Sequence, residues 1–184
     1  MRIREAAELI RPAVPADGGI WADFGAGSGT FAQALAMVVG ETGVVIAVER
    51  DPGALRDLRR LTDRPGEATI RVVEGDITSL HLIADLATSR LNGALFANVL
   101  HFIREPESVL DRLRSFMHSN APVVVVEYDQ RGASRWVPHP LPPDRLAAIA
   151  NAVGLSAPVE IGRRKSRYQG ELYCARMTWN MPVS

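Results

Sequence analysis

Five short apolar runs, each followed by a segment with helical character, leave this chain few ways to fold. The runs are Gly19–Phe24, Val44–Val48, Thr69–Val73, Gly93–Asn98 and Pro122–Glu127. They are continuous rather than alternating, which is the pattern of parallel strands covered on both faces. Parallel neighbours cannot be joined by a tight turn, so the intervening segments must cross over the sheet as helices. Val109, Leu110, Leu113, Phe116 and Met117 share one helical face behind Pro106, a residue suited to a first turn. Asp51 and Pro52 open a second helix as cap and first residue. Gly40 and Gly154 stand where helix ends take a left-handed residue. Ser79–Arg90 is a weaker helical segment, and a last helix is expected near Asp144–Val153. From Ala157 to Trp179 the pattern changes to two strands joined by the polar turn Arg163–Gly170. The expected fold is a doubly wound α/β sheet, mostly parallel, with helices on both faces and an antiparallel C-terminal hairpin.

Nothing divides the chain, so residues 1–184 are read as one domain, with length enough to bury a core. Lys plus Arg and Asp plus Glu both number 21, giving a formal net charge of zero. That balance provides no general pull toward nucleic acid or an anionic membrane. No apolar run approaches the roughly 20 residues that span a bilayer. The amino terminus is charged and amphipathic rather than a secretory signal. The single cysteine, Cys174, lies in an alternating apolar stretch and reads as a buried structural thiol, consistent with a reducing, cytoplasmic setting. No cluster of His, Cys or carboxylates has metal-ligand spacing, so no metal is expected. Self-association is left open.

The most informative local stretch is W-A-D-F-G-A-G-S-G-T-F-A-Q-A-L-A, Trp21 to Ala36. A strand ends in Asp23 and Phe24, a glycine-rich turn follows, and an amphipathic helix begins. Gly25, Gly27 and Gly29 permit backbone angles and close ligand approach that a Cβ forbids. The N–H groups of such a turn favour negative or polar ligand atoms. A dinucleotide fingerprint requires glycine where this chain has Thr30. Asp23 would also repel a pyrophosphate but can orient the cationic end of S-adenosylmethionine. Glu49 ends the next strand twenty residues beyond Gly29, where a carboxylate can accept both hydroxyls of a ribose. A solvated strand-end charge, or a partner for Arg50, is the competing reading. Asp76 follows the third strand, where it can accept from an adenine amino group or simply cap the turn at Ile77 and Thr78. Glu74 beside it reads as a surface residue.

Together D-F-G-A-G-S-G, A-V-E-R-D, G-D-I and L-F-A-N-V-L-H-F-I resemble, in order and spacing, the motifs of the class I S-adenosylmethionine-dependent methyltransferase family. The resemblance covers nearly the whole chain. It implies the strand order 3-2-1-4-5-7-6, with the last strand antiparallel and the cofactor lying where the order reverses. It also implies a cofactor site formed by Asp23, Gly25, Ala26, Gly27, Gly29, Thr30, Glu49, Arg50, Asp76, Ile77 and Asn98. Two departures stand out. Asn92 replaces an acidic residue common before the fourth strand, and A-N-V-L replaces the N/D-P-P-Y segment of many nucleic-acid amino methyltransferases. The second lowers the expectation of a nucleic-acid acceptor.

An oxygen or nitrogen acceptor of high pKa must lose a proton, and His101 beyond the fourth strand is the candidate base. A locally bonded core histidine is the competing reading. Glu127 and Tyr128 close the fifth strand at the same crevice end. Trp136 and His139, in the proline-rich stretch Arg135–Asp144, are candidates to cover the acceptor, against a rigid connector with Trp136 packed on the core. The basic segment Arg163–Arg167 suits either an anionic acceptor or a solvated hairpin tip. The leading expectation is methyl transfer to a small molecule; a non-catalytic S-adenosylmethionine-binding regulatory or scaffold module is the alternative, and a nicotinamide-dependent oxidoreductase a third.

Overall fold

The computed structural model describes residues 1–15, 18–61, 64–79, 90–166 and 170–179. In chain order these form α1 (Ile3–Ile10), β1 (Gly19–Phe24), α2 (Thr30–Val39), β2 (Gly43–Glu49), α3 (Pro52–Leu58) and β3 (Thr69–Glu74). They continue with β4 (Gly93–Ala97), α4 (Pro106–Leu113), β5 (Pro122–Tyr128), α5 (Pro143–Ala152), β6 (Val159–Lys165) and β7 (Glu171–Thr178). The helical segment expected at Ser79–Arg90 lies, apart from its two end residues, outside the described residues.

One seven-stranded sheet runs in the order β3-β2-β1-β4-β5-β7-β6. β1 pairs in parallel with β2 on one side and β4 on the other, so the winding reverses at β1. β7 runs antiparallel to both β5 and β6. The sequence-based expectation of fold and order therefore holds. Capping follows it as well. Asp51 accepts from the Ala54 N–H at 2.8 Å with Pro52 in the first turn of α3, and Pro106 opens α4.

Alternate residues of the central strands feed two apolar layers. Trp21, Val45, Leu95, Val124 and Cys174 face the layer under α1 and α2. Phe24, Phe96, Val123, Val125 and Tyr173 face the layer under α4 and α5. Phe24 and Phe96 stack at 5.0 Å between ring centres. Cys174 is fully buried and burial pushes its thiol up to about 12, as an inert structural group requires.

Three expectations need correction. Coverage on both faces fails for β3, an edge strand whose residues are exposed or only partly buried. Phe116 does not extend the α4 face; α4 stops at Leu113 and a 3-10 turn carries Phe116 to a half-buried position. Arg163, Arg164 and Lys165 belong to strand β6 rather than to the hairpin turn.

Close packing at the centre of the sheet gives a first prediction. Trp21 lies so tightly against Gly93 that a Cβ there would sit 2.3 Å from two indole carbons. Trp21 is fully buried and has nowhere to retreat. Gly93→Ala is expected to lower unfolding free energy by about 2–3 kcal/mol in urea titrations, the upper range for overpacking a rigid core.

Candidate functional site

The reversal of the sheet at β1 opens a crevice at the carboxyl ends of β1, β2 and β4, the general ligand position in open α/β sheets. The glycine turn joins β1 to α2 at this end of the sheet. Gly25, Gly27 and Gly29 all have positive φ, at 74°, 55° and 92°. Their surroundings differ. A Cβ at Gly25 would meet Val99 at 2.3 Å, and one at Gly29 would meet Leu61 and Leu58 at 2.7 and 2.9 Å. A Cβ at Gly27 would meet nothing within 4 Å. Close ligand approach is thus a property of Gly27; Gly25 and Gly29 are glycines because protein side chains crowd them.

The turn's N–H groups are also more occupied than expected. Gly25 and Ala26 both donate to the Val48 carbonyl, at 2.9 and 3.0 Å, and Gly29 donates to Ala26. Gly27 donates to Glu49 Oε2 at 2.8 Å. Glu49 Oε1 accepts from the backbone N–H groups of Arg50 and Asp51, each at 2.8 Å. One carboxylate at the end of β2 therefore ties the glycine turn to the start of α3. Thr30 opens α2 directly behind the turn.

Asp76 accepts from Arg50 Nη1 at 2.7 Å through Oδ2, and from the Thr78 N–H and hydroxyl at 2.9 and 2.7 Å through Oδ1. Against some desolvation, these Thr78 and Arg50 bonds hold its carboxyl below the usual range. The turn-capping reading of Asp76 is realised, and Arg50 links the ends of β2 and β3 through it. Ile77 packs beside the α4–α5 layer. Glu74 is on the surface, paired with Arg59.

Asp23 is the anomaly of the site. It is fully buried at the end of β1, and neither carboxylate oxygen has a hydrogen-bond partner. Burial, with Glu49 nearby, pushes its carboxyl up to about 7. Asn98, at the end of β4, has a left-handed φ of 54° and donates its N–H to Val126. Its side-chain Oδ1 is likewise buried without a partner. Three buried acceptor atoms without partners, at the adjacent carboxyl ends of β1 and β4, are costly unless a donor-rich, cationic group meets them. The ammonium of S-adenosylmethionine fits that donor demand, its sulfonium adds positive charge, and open backbone at Gly27 leaves room beside it.

Asn98 and Tyr128 border two adjoining spaces. One, of about 410 Å³, lies against α1 and β6 between Phe31, Arg164 and Lys165. The other, of about 950 Å³, includes His101, Phe102 and Trp136 in its walls. His101 is buried in a 3-10 turn after β4, and its Nδ1 lies 2.6 Å from Glu127 Oε2. The His101 N–H also donates to Glu127 Oε1 at 3.3 Å. The pairing that the separate readings of these two residues lacked comes from β4 and β5 being neighbours.

The structure brings Tyr128 and Trp136 to this cleft with His101, but not His139. His139 instead donates its N–H to the His101 carbonyl at 2.9 Å and acts as a backbone tether. Trp136 is 75% exposed, so the core-packed alternative fails; Val137 takes the buried place. Phe102, unassigned in the sequence, joins the wall at 53% exposure. Arg163 is held by Asp129, Glu160 and Glu171, and Arg164 by Glu8, so neither is a free anion site. No group of three or more possible metal ligands occurs among the described residues.

The profile of a family described as "Methyltransferase domain" matches residues 17–153. No curated protein sequence matches. Among solved structures, an arsenic(III) S-adenosylmethionine methyltransferase from Chlamydomonas reinhardtii is similar with a TM-score of 0.72 and 18% identity, covering 93% of this chain and 66% of that one. A SAM-dependent methyltransferase from Aquifex aeolicus gives 0.67 and 12%, covering 94% and 88%. Human N-acetylserotonin methyltransferase in complex with SAM gives 0.67 and 14%, covering 95% of this chain and 52% of that one. The chain thus spans just under two thirds of the algal enzyme and about half of the human one.

Proposed function

Since the chain belongs to the class I S-adenosylmethionine-dependent methyltransferase family, we propose that it transfers a methyl group from S-adenosylmethionine to a small-molecule acceptor beside Asn98. The observation that carries this is the set of orphaned acceptors, Asp23 Oδ1 and Oδ2 and Asn98 Oδ1, at the reversal of the sheet. Asp23 and Asn98 meet the cationic amino-acid end. Glu49 accepts from a ribose hydroxyl through the lone pair that its three backbone bonds leave on Oε2, and Asp76 with Ile77 borders the adenine. Gly27 gives the open backbone, while Gly25, Ala26, Gly29, Thr30 and Arg50 hold the frame in shape. When bound, the cofactor supplies a methyl carbon already activated by its sulfonium.

The protein's share of the work is to hold an acceptor in line in a partly dry cleft and to accept its proton. His101 is the proposed base, with Tyr128 and Trp136 lining the acceptor's place; His139 keeps only its tether. The lined cleft next to the cofactor position favours an enzyme over a binding module. A cytoplasmic setting remains our reading of the single, buried cysteine.

Asp23 makes cofactor affinity pH-dependent. The cationic ligand needs the carboxylate, whereas the buried group alone prefers its proton until about pH 7. Affinity should therefore rise with pH through 6 to 7 and level off above, falling by up to about tenfold per unit on the acid side. Calorimetry in buffers of different ionisation heat should show proton release below pH 7; a flat profile argues against contact with Asp23. The activity itself is tested by screening acceptors for S-adenosylhomocysteine release and methylated product by mass spectrometry. Cofactor binding with no product across a broad screen would favour the binding module.

A further inference from the structure

Among the described residues three large hydrophobic side chains are exposed, Phe102, Trp136 and Val159, and the first two border the same cleft. The His101 and Tyr128 rings line the same cleft. The His101 ring lies 4.2 Å from that of Phe102 and 5.9 Å from that of Tyr128, tilted against both. Exposed aromatic faces gathered round one concavity are the usual lining of a site for flat, apolar ligands. Asp129 and Glu171 both bind Arg163, the Arg135 guanidinium lies 5.6 Å over the Trp136 ring, and no Lys or Arg is among the cleft's described lining residues. The space suits a neutral occupant.

Glu127 is the other unexplained feature. It closes the run Val123–Val126 on the face that carries Val123 and Val125 into the apolar layer, and it is fully buried. The fold alone would be served by another apolar residue, because a buried carboxylate is costly unless bonded. Both Glu127 oxygens accept from His101, one from its backbone N–H and one from the ring. That arrangement puts the ring proton on Nδ1 and leaves Nε2 with a free lone pair.

We propose that Glu127 is a positioning residue that holds His101 as a proton acceptor, and that the acceptor served is a neutral, weakly acidic hydroxyl on a flat aromatic ring seated among Phe102, Tyr128 and Trp136. The inference rests on the methyltransferase reading and names its substrate class. In the step, the hydroxyl oxygen forms the new O–C bond as the C–S bond breaks toward sulfur. The hydroxyl proton passes to His101 Nε2 and from there to solvent.

The test uses the full chain at pH 8 and two probes: 2-naphthol, which is weakly acidic and stays protonated, and 4-nitrophenol, which is mostly ionised at that pH. Without any methyl donor, 2-naphthol should bind the wild-type protein, read by its own fluorescence, and Trp136→Ala should weaken it about tenfold. With S-adenosylmethionine present, Glu127→Gln should lower kcat for 2-naphthol roughly 100-fold at unchanged KM, and for 4-nitrophenol by no more than about threefold. Glu127→Asp should recover part of the loss. His101→Asn should show the same split, so a poorly folding Glu127 variant does not stop the test. Equal slowing with both probes means that Glu127 only supports the fold, and it overturns the proposal. So does the absence of 2-naphthol binding by protein that still takes up S-adenosylmethionine in calorimetry. Loss of cofactor binding in the wild type is a separate result, which removes the methyltransferase reading and this inference with it.

Discussion

Asp23→Asn is expected to make the protein more stable and unable to hold its cofactor. The sign follows from the direction of the shift. Burial raises the Asp23 carboxyl from 3.8 to about 7, so the folded state disfavours the charged form. Its contribution is neutral below the unfolded value near 4, becomes unfavourable as pH rises toward 7, and is constant above. At pH 8 that penalty is on the order of 4 kcal/mol. Asparagine removes the charge but keeps an unpartnered amide, so a gain of roughly 2–4 kcal/mol is expected, or about 5–15 °C in Tm. The gain should vanish near pH 4. Cofactor affinity should fall at least about 100-fold, because a buried cationic end loses its counter-charge. Thermal melts at pH 4 and 8, with a calorimetric titration at pH 8, check both halves. A variant less stable than wild type at pH 8 would show that Asp23 is satisfied in the fold itself.

Glu49→Ala is expected to act on the site from two directions. The substitution removes the carboxylate that receives Gly27, Arg50 and Asp51 N–H groups, which frees the glycine turn from the start of α3. It also removes the proposed acceptor for a ribose hydroxyl. Cofactor binding should weaken by about 1–3 kcal/mol from the lost charge-assisted bonds. Because Glu49 is one cause of the raised Asp23 carboxyl, the acid limb of the affinity profile should also move to lower pH. Glu49→Gln, which keeps one of the two acceptor oxygens and no charge, should lose either the Gly27 or the Arg50 and Asp51 bonds, cost some stability, and still move that limb. Unchanged affinity in Glu49→Ala would take the residue out of the site.

The fold was legible because of what parallel strands demand of a sequence. A strand covered on both faces is largely apolar, and β1, despite the buried Asp23, begins and ends at the residues its run marks. β4 stops one residue short of its run because Asn98 turns left-handed, a local event that hydropathy does not register. The glycines of the turn were visible, but their reasons were not. Only three-dimensional packing distinguishes Gly25, pressed against Val99, from Gly27, which faces open space. The His101–Glu127 pair joins positions 26 residues apart through strand adjacency, and neither residue alone announces the other. Trp136 carries two readings in the sequence, acceptor cover and core packing, because a proline-rich loop does not reveal which of two adjacent apolar residues turns inward; the structure exposes Trp136 and buries Val137.

The central claim is that buried, unpartnered acceptors at the reversal of the sheet exist to receive a cationic nucleoside. Isothermal titration of the wild-type protein with S-adenosylmethionine at pH 8 tests it most directly. One site with micromolar affinity, lost in Asp23→Asn, is the expected result. No saturable heat with S-adenosylmethionine or with S-adenosylhomocysteine, from protein that melts cooperatively, would contradict it.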